Sequence, residues 1–312
     1  MVLAAGLGER LRPLTALRAK PAMPMLNRPL IQWTLERLAR SGVSEVMVNL
    51  HHLPESVVAA VGDGRRLGLR VRYSREPTLL GTGGGPRRVR SFFDDAPFLL
   101  VNGDVLFGFD LGRLVERHRA SGARATLALK RRRGPGAYSA ITVGRDGRVR
   151  RIGGAGQPGG YLFTGVHVLD PRLLERLPRG RASDTVRDLY APMLARGEAV
   201  HGARVRGRWL DIGSPSLYLE AHLESLSGGR SRVALGAAVA RGAALRRSAV
   251  GAGARVDEGA RVTDSVIWPG GVVEAGARLR RVIVTEGARA RTGERLSDVV
   301  VLPRGRRSPL DR

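Results

Sequence analysis

The sequence predicts two folds in series: an α/β domain with a mostly parallel sheet over residues 1–226, and a parallel β-helix over residues 227–302, followed by a polar, frayed tail over 303–312. Two observations carry this. Up to about residue 226, short apolar runs alternate with amphipathic stretches, and strands that alternate with helices build a parallel or mostly parallel sheet covered on both faces. From Val233 onward, aliphatic residues recur in steps of 6, 6 and 5, a period of 17 residues.

The elements of the first part follow in order. Residues 2–5 read as a short strand on which the chain opens directly. Residues 29–40 place Leu30, Ile31, Thr34, Leu35 and Leu38 at helical spacing. Residues 45–50 (EVMVNL) read as a strand, 54–61 as a helix and 69–73 as a strand. A helix is expected over 86–93, a buried strand over 97–101 (PFLLV), a helix over 110–120 and a strand over 125–129. Ligands of such sheets lie beyond the carboxyl ends of the strands. The segments 6–12 and 102–104 both follow strands, so both should open onto that edge.

In the second part, Val233, Val239, Leu245, Val250, Val256, Val262, Ile267, Val273, Leu279 and Val284 keep phase with two glycine columns. One column is Gly236, Gly253, Gly270 and Gly287; the other is Gly242, Gly259, Gly276 and Gly293. A coiled sheet explains both: aliphatic side chains point inward, and glycine takes corners where positive φ is cheap. A glycine-rich linker would not keep aliphatic columns in register. The columns resemble the hexapeptide-repeat left-handed β-helices, and the left hand is what that resemblance implies.

Composition narrows the function. The chain has 312 residues, no cysteine and a formal charge of +25. Disulfides and thiolate metal sites are therefore excluded. No apolar run reaches the ~20 residues of a membrane span, and no basic segment precedes an apolar one at the N-terminus. A cytoplasmic protein is expected. Only Lys20 and Lys130 are lysine; every other basic side chain is arginine, scattered or in short runs such as 131–133. That bias matches GC-rich codon usage, and no aromatic-rich basic module accompanies it, so no specific nucleic-acid partner is expected. The charge should still attract phosphorylated substrates. It also singles out Lys20, a lysine in a chain that otherwise uses arginine.

The strongest motif is LAAGLGERLRPLT over residues 3–15, followed by Lys20-Pro21 and Pro24. A strand enters a glycine-rich loop where Gly6 and Gly8 allow backbone N–H groups to approach phosphate oxygens. Arg10 can fork onto phosphate. Further on, Gly81-Thr82-Gly83 leads toward a helix, where a glycine turn can approach a base or a phosphate. Asn102-Gly103-Asp104 closes an apolar strand, a suitable place for a carboxylate that holds Mg²⁺. Trp209-Leu210-Asp211-Ile212-Gly213-Ser214-Pro215 offers a second acid. His51 and His52 are read as loop residues. No Ser/His/Asp order stands out, and a phosphate dianion needs no general base.

Together these motifs resemble the sugar-1-phosphate nucleotidyltransferase (NDP-sugar pyrophosphorylase) family, and the resemblance runs in order along nearly the whole chain. It implies a Rossmann-like, GT-A-like nucleotidyltransferase domain that transfers a nucleotidyl group from an NTP to a sugar-1-phosphate and releases pyrophosphate. In its terms, Ala4, Ala5, Gly6, Gly8, Glu9, Arg10, Gly81, Thr82, Gly83, Asn102 and Gly103 bind nucleotide. Arg10 and Lys20 handle phosphate charge, and Asp104 and Asp211 hold Mg²⁺. Thr164 and Gly165 stand beside the sugar phosphate. Glu9 replaces the usual hydroxyl residue, as in the uridylyltransferases of cell-wall recycling, and Phe163-Thr164-Gly165 is again like that branch. The lysine of the family's Glu-Lys-Pro segment is missing from 152–158; Arg150 or Arg151 is a possible substitute.

The Gly-Thr-Gly-Gly segment and the attached β-helix are similar to the mannose-1-phosphate guanylyltransferase branch, so GTP with mannose-1-phosphate is the expected pair. The alternatives are UTP or dTTP with another sugar phosphate, N-acetylmuramate-1-phosphate among them, and a catalytically silent regulatory subunit. The intact Arg10, Lys20, Asp104 and Asp211 argue against the last. Acyl transfer in the β-helix is disfavoured because residues 231–312 hold no histidine. The β-helix is expected to serve a homo-oligomer.

Overall fold

The computed structural model describes residues 1–132, 138, 140–153 and 160–311. Among the described residues, no helix is long and apolar enough to cross a membrane. The chain divides into two compact units: residues 1–6 with 31–210, and residues 7–30 with 211–312. The division differs from the linear boundary near 226 because the loop 7–30 and the helix Pro215–Ser225 cluster with the β-helix.

The first unit is built on one sheet. Its main path runs Val149–Ile152, Ile141–Val143, Tyr161–Leu169, Phe98–Asn102, Val2–Leu3, Glu45–Leu50 and Arg70–Arg75. Val2–Leu3 pairs parallel with both Glu45–Leu50 and Phe98–Asn102, and Glu45–Leu50 pairs parallel with Arg70–Arg75. Tyr161–Leu169 runs antiparallel to Phe98–Asn102 and to Ala125–Arg131, and Val200–Arg204 extends the latter in parallel. The run Val46, Met47, Val48 is buried along its length, as a strand covered on both faces must be. Ile31, Thr34, Leu35 and Leu38 are the buried side of the first helix, Leu30–Arg40. Leu100, Leu127, Leu129, Leu169 and Tyr190 lie in the core on one side of the sheet. The helix Leu111–Ser121 starts where the Asp110 carboxylate accepts the Arg113 N–H at 3.2 Å, and stops at Gly122, φ 60°.

One segment departs from expectation. The stretch read as a glycine turn ahead of a helix over 86–93 is itself the helix, Gly81–Arg88, and Arg90–Phe92 is a short 3₁₀ turn. Close packing is the reason. A Cβ on Gly81 would lie 2.6 Å from the Ser183 carbonyl oxygen, and one on Gly84 2.8 Å from that of Arg181. Poor helix formers are tolerated here because only a bare backbone fits against residues 181–183.

In the second unit the 17-residue period becomes register. Arg232 pairs with Ala249, Ala249 with Val266, Val266 with Ile283 and Ile283 with Val300, each one period apart. Two further parallel sheets repeat the same offset, giving a three-faced solenoid. Val250, Val256, Val262, Ile267, Val273 and Val284 fill its interior. Gly236, Gly253, Gly270 and Gly287 take positive φ at one corner, and Gly259, Gly276 and Gly293 at a second. The third corner has no glycine: Arg247, Asp264, Arg281 and Asp298 adopt positive φ there. Their alternating charges pair, Arg247 with Asp264 at 2.6 Å and Arg281 with Asp298 at 2.7 Å. Inside that corner Ser248 Oγ accepts the Ser265 N–H, and Ser265 Oγ accepts the Val282 N–H.

The loop 7–30 and the helix Pro215–Ser225 are tied to this solenoid. Trp268, fully buried, donates its indole N–H to the Tyr218 hydroxyl at 3.0 Å, and that hydroxyl donates to the Pro24 carbonyl. The Asn27 amide donates to the carbonyls of Val250 and Arg232, and Arg18 meets Glu286 at 2.7 Å. His222 Nε2 accepts the Leu26 N–H at 3.1 Å. The C-terminal tail is not frayed. Arg307–Pro309 pairs antiparallel with Val299–Val301 and Leu310 is 2 % exposed, so the tail closes the last coil.

Candidate functional site

Each unit carries part of the predicted site. In the first unit the strands Val2–Leu3 and Phe98–Asn102 point the same way, so Ala4, Ala5 and Gly6 emerge beside Asn102, Gly103 and Asp104. The Gly103 N–H donates to the Leu3 carbonyl at 2.8 Å. A Cβ on Gly103 would come within 2.7 Å of that oxygen, which is why no side chain fits there. Ala4 and Ala5 are buried and Gly6 is exposed. A Cβ on Gly6 would meet nothing within 4 Å, so internal packing does not explain this glycine.

Two residues that sequence reasoning passed over fix this region. The Asn49 carbonyl accepts the Ala4 N–H at 2.8 Å, and its amide donates to Glu76 Oε1 at 2.8 Å. Glu76 Oε2 accepts the Leu80 N–H at 3.0 Å. This buried pair thus sets the backbone entering both the Ala4–Gly6 and the Gly81–Gly83 segments. A Cβ on Gly85 would strike both side chains, at 2.7 and 2.8 Å. The signal available in the sequence was a lone Asn in the apolar strand 45–50. His51 Nδ1 lies 2.8 Å from the Glu76 carbonyl, in the loop after that strand.

Several predicted side chains are committed internally. The Thr82 hydroxyl donates to Asp184 at 2.8 Å and accepts the Thr185 N–H. Thr164 is fully buried, with its hydroxyl donating to the Ala128 carbonyl at 2.8 Å. Its own carbonyl accepts the Trp209 indole N–H at 2.9 Å. Neither hydroxyl is presented to a ligand, so what these two positions offer is backbone and shape. Gly165, φ 77°, lies in the register shift of its strand, where a Cβ would stand 2.7 Å from the Asn102 amide nitrogen. The Asp104 carboxylate is partly buried in the turn between Phe98–Asn102 and Val105–Phe107. Residues 154–158, part of the segment lacking the Glu-Lys-Pro lysine, and Arg133 lie outside the described residues.

The second unit gathers the remaining residues. Gly8 has φ 63°, and a Cβ on it would stand 2.7 Å from the Thr15 methyl. The Thr15 hydroxyl donates back to the Gly8 carbonyl at 2.9 Å, which pins the loop. Glu9 and Arg10 are exposed in the following 3₁₀ turn, Glu9–Leu11. Lys20 is only 7 % exposed, and its ammonium lies 3.8 Å from Asp211 Oδ1. A Cβ on Gly213 would find Asp211 Oδ2 at 3.4 Å and the Arg10 guanidinium at 3.5 Å. Glycine there lets the two side chains close over the backbone. Ser214, not Asp211, caps the helix Pro215–Ser225 by accepting the Leu217 N–H. Arg10, Lys20 and Asp211 therefore converge, with Asp211 released from any capping duty. Asp311 and Pro309 of the C-terminal tail border the same cleft as Arg10 and Arg12, a neighbour the sequence did not indicate.

Among the described residues no group of three or more His, Cys, Asp or Glu forms a metal cluster. Mg²⁺ is commonly held by one or two carboxylates, with substrate phosphates and waters completing the shell. The donor chemistry of Asp104 and Asp211 suits that mode.

Glycine-bearing loops after parallel strands, with a buried lysine beside a carboxylate, define a phosphate-handling α/β protein. The Nucleotidyl transferase family model matches residues 1–228, and the model for the GlmU-like C-terminal hexapeptide matches residues 222–297. The chain belongs to the sugar-1-phosphate nucleotidyltransferase family, a family of EC 2.7.7 enzymes. It is similar to mannose-1-phosphate guanylyltransferase of Mycobacterium tuberculosis, 32% identical over 78% of this chain and 72% of that one. It is also similar to N-acetylmuramate alpha-1-phosphate uridylyltransferase of Neisseria meningitidis serogroup B, 33% identical over 71% of this chain and 95% of that one. The chain spans 61% to 65% of the length of several other curated relatives. The fold resembles that of HddC from Yersinia pseudotuberculosis complexed with GMP-PN, with a TM-score of 0.62, 21% identity, and coverage of 70% of this chain and 96% of that one.

Proposed function

We propose that this chain transfers a nucleotidyl group from GTP to mannose-1-phosphate, giving GDP-mannose and pyrophosphate. The observation that carries the reading is the convergence of Arg10, buried Lys20 and Asp211 around Gly213. Phosphoryl-type transfer needs positioning and charge neutralisation more than covalent catalysis. In the proposed reaction a sugar-phosphate oxygen attacks the α-phosphorus in line, and pyrophosphate departs. Gly6 and Gly8 admit the phosphates to the loop amides. Arg10 takes the charge of the β- and γ-phosphates, and Lys20 that of the reacting centre. Ala4, Ala5, Gly81, Gly83, Asn102 and Gly103 shape the nucleotide pocket through backbone, and Gly165 with the Thr164 backbone borders the sugar. Asp104 and Asp211 are the carboxylates that would hold Mg²⁺, which when bound adds positive charge against the phosphates.

The guanylyl choice is supported by the mycobacterial relative and by the Gly81–Gly84 segment. A second reading, a uridylyltransferase with an N-acetylmuramate-1-phosphate-like substrate, is favoured by Glu9 and by the meningococcal relative. Pyrophosphate release from GTP, UTP and dTTP against a panel of sugar-1-phosphates tests both. Release with GTP and mannose-1-phosphate alone supports the first reading; release only with UTP supports the second. A folded chain that releases none is a silent subunit. We also propose a homo-oligomer formed through the solenoid, whose first coil exposes Leu235 at 98 % and Val233 at 45 %.

A further inference from the structure

Asn49 stands near the end of the strand Glu45–Leu50, and Glu76 directly after the neighbouring strand Arg70–Arg75. They are 2 % and 4 % exposed. We propose that they are positioning residues for the reaction: a buried amide–carboxylate pair that holds the Ala4–Gly6 and Gly81–Gly83 segments in one frame, so that the nucleotide meets two stretches of backbone already fixed relative to each other. The inference rests on the assignment of those two segments to the nucleotide.

Backbone accounting is the first argument. The ladder between Val2–Leu3 and Glu45–Leu50 stops at the Leu3–Asn49 pair. One residue further on, the Ala4 N–H donates to the Asn49 side chain at 2.8 Å. The ladder between Glu45–Leu50 and Arg70–Arg75 stops at Leu50–Arg75, and the Glu76 N–H then donates to the Leu50 carbonyl at 2.7 Å. The Asn49 amide donates to Glu76 Oε1, and the Leu80 N–H to Glu76 Oε2. One line of side-chain hydrogen bonds thus ties the backbone at Ala4 to the backbone at Leu80, where main-chain pairing ends. A buried N–H without an acceptor is costly, so each link matters.

Polarity is the second. Both Glu76 oxygens accept, which a carboxylate does and an amide cannot, while Asn49 accepts on one side and donates on the other. The adjacent strand residues Val48 and Leu50 are apolar and buried, so the polar side chain between them answers to these partners and not to solvent. Space is the third. A Cβ on Gly85 would lie 2.7 Å from Glu76 Oε1 and 2.8 Å from Asn49 Nδ2, so the helix Gly81–Arg88 closes directly over the pair.

The direction of these bonds makes a swap possible. Glu76→Gln alone sets an NH₂ group against a donor, either the Asn49 amide or the Leu80 N–H. Asn49→Asp alone sets two carboxylate oxygens face to face. Asn49→Asp/Glu76→Gln restores every link with the middle bond reversed. The new aspartate accepts from Ala4 and from the new glutamine amide, whose carbonyl accepts the Leu80 N–H.

The test measures KM and kcat with whichever of GTP, UTP and dTTP the wild-type chain turns over. It also measures amide hydrogen exchange over residues 2–6 and 79–85 in the unliganded chain. Each single variant should raise the nucleotide KM about tenfold with kcat within about threefold of wild type, and should speed exchange in both segments. The double variant should bring KM back to within about threefold of wild type and restore protection in both. Gly85→Ala, which leaves polarity unchanged and favours the helix, should raise KM about tenfold by displacing the pair. A double variant no better than the worse single variant in a folded protein overturns the proposal, since a Glu76 that touched the nucleotide itself would not be rescued by the swap. So does Gly85→Ala with wild-type KM. If the wild-type chain turns over none of the three nucleotides, the nucleotide assignment fails by itself and exchange still decides the tie: faster exchange in both segments of Glu76→Gln supports it, and a change confined to one segment overturns it.

Discussion

Substituting Gly8 by alanine tests whether the signature loop must keep the shape seen here. Two penalties follow from the geometry. A left-handed backbone, φ 63°, costs a non-glycine residue about 1–2 kcal/mol. The added Cβ would stand 2.7 Å from the Thr15 methyl, well inside the roughly 3.5–4.0 Å separation of carbon atoms in contact. Overpacking of this kind costs about 1–3 kcal/mol. Together the loop would be strained by about 2–5 kcal/mol, and at about 1.4 kcal/mol per decade kcat/KM for pyrophosphate release should fall by roughly thirtyfold to a few thousandfold. The two penalties separate with Thr15→Ser, which removes the methyl and keeps the hydroxyl that donates to the Gly8 carbonyl. The next contacts of the new Cβ, 3.4 Å to Thr15 Cβ and 3.6 Å to Lys20 Cβ, are then ordinary. The double variant should therefore recover about tenfold over Gly8→Ala, leaving the backbone term. Wild-type turnover in Gly8→Ala, or no recovery in the double variant, would refute the reasoning.

Other outcomes follow from the same structure. Asp104→Asn and Asp211→Asn should each lower pyrophosphate release at least about a hundredfold with the far-UV CD spectrum unchanged; near-normal turnover in either would remove that residue from the proposed metal pair. Trp268→Ala should destabilise the second unit by about 3–5 kcal/mol in urea unfolding, because it empties a fully buried site and strands the Tyr218 hydroxyl contact. His222 is neutral in the fold, accepting from Leu26 and lying 3.0 Å from the Tyr218 carbonyl, and burial pulls its pKa to about 4. The unfolded chain takes up that proton first, near pH 6.5, so stability is present above about 6.5 and lost as pH falls toward 4, by up to about 1.4 kcal/mol per unit. Urea midpoints at pH 7 and pH 5 should show the decline, and a smaller one in His222→Gln; a pH-independent midpoint contradicts it. Leu235→Glu should shift the mass measured by light scattering downward if the first coil joins subunits; an unchanged oligomer places the interface elsewhere.

Much of the fold was legible in the sequence because its patterns are local. The strand 45–50 and the helix 54–61 coincide with the predicted spans, since apolar periodicity and a proline at the helix start report directly on backbone conformation. The 17-residue period became a 17-residue register, because stacking coils must place equivalent residues one above another. The Gly81–Gly84 stretch misled for the opposite reason. Its glycines answer to residues 181–183, about a hundred positions away, and no local rule anticipates that contact.

The sequence by itself determined the family, the glycine-rich loop after the first strand and the solenoid, because glycine, proline and aliphatic spacing constrain the nearby backbone directly. Only the tertiary structure decided which side chains are available. It committed the hydroxyls of Thr82 and Thr164 to internal partners, paired Asn49 with Glu76 beneath the loops, and set Lys20 against Asp211. It also grouped the loop 7–30 with the β-helix and gathered arginines from 113 to 206 around one cleft. Such arrangements depend on long-range contacts, whose partners spacing along the chain does not specify.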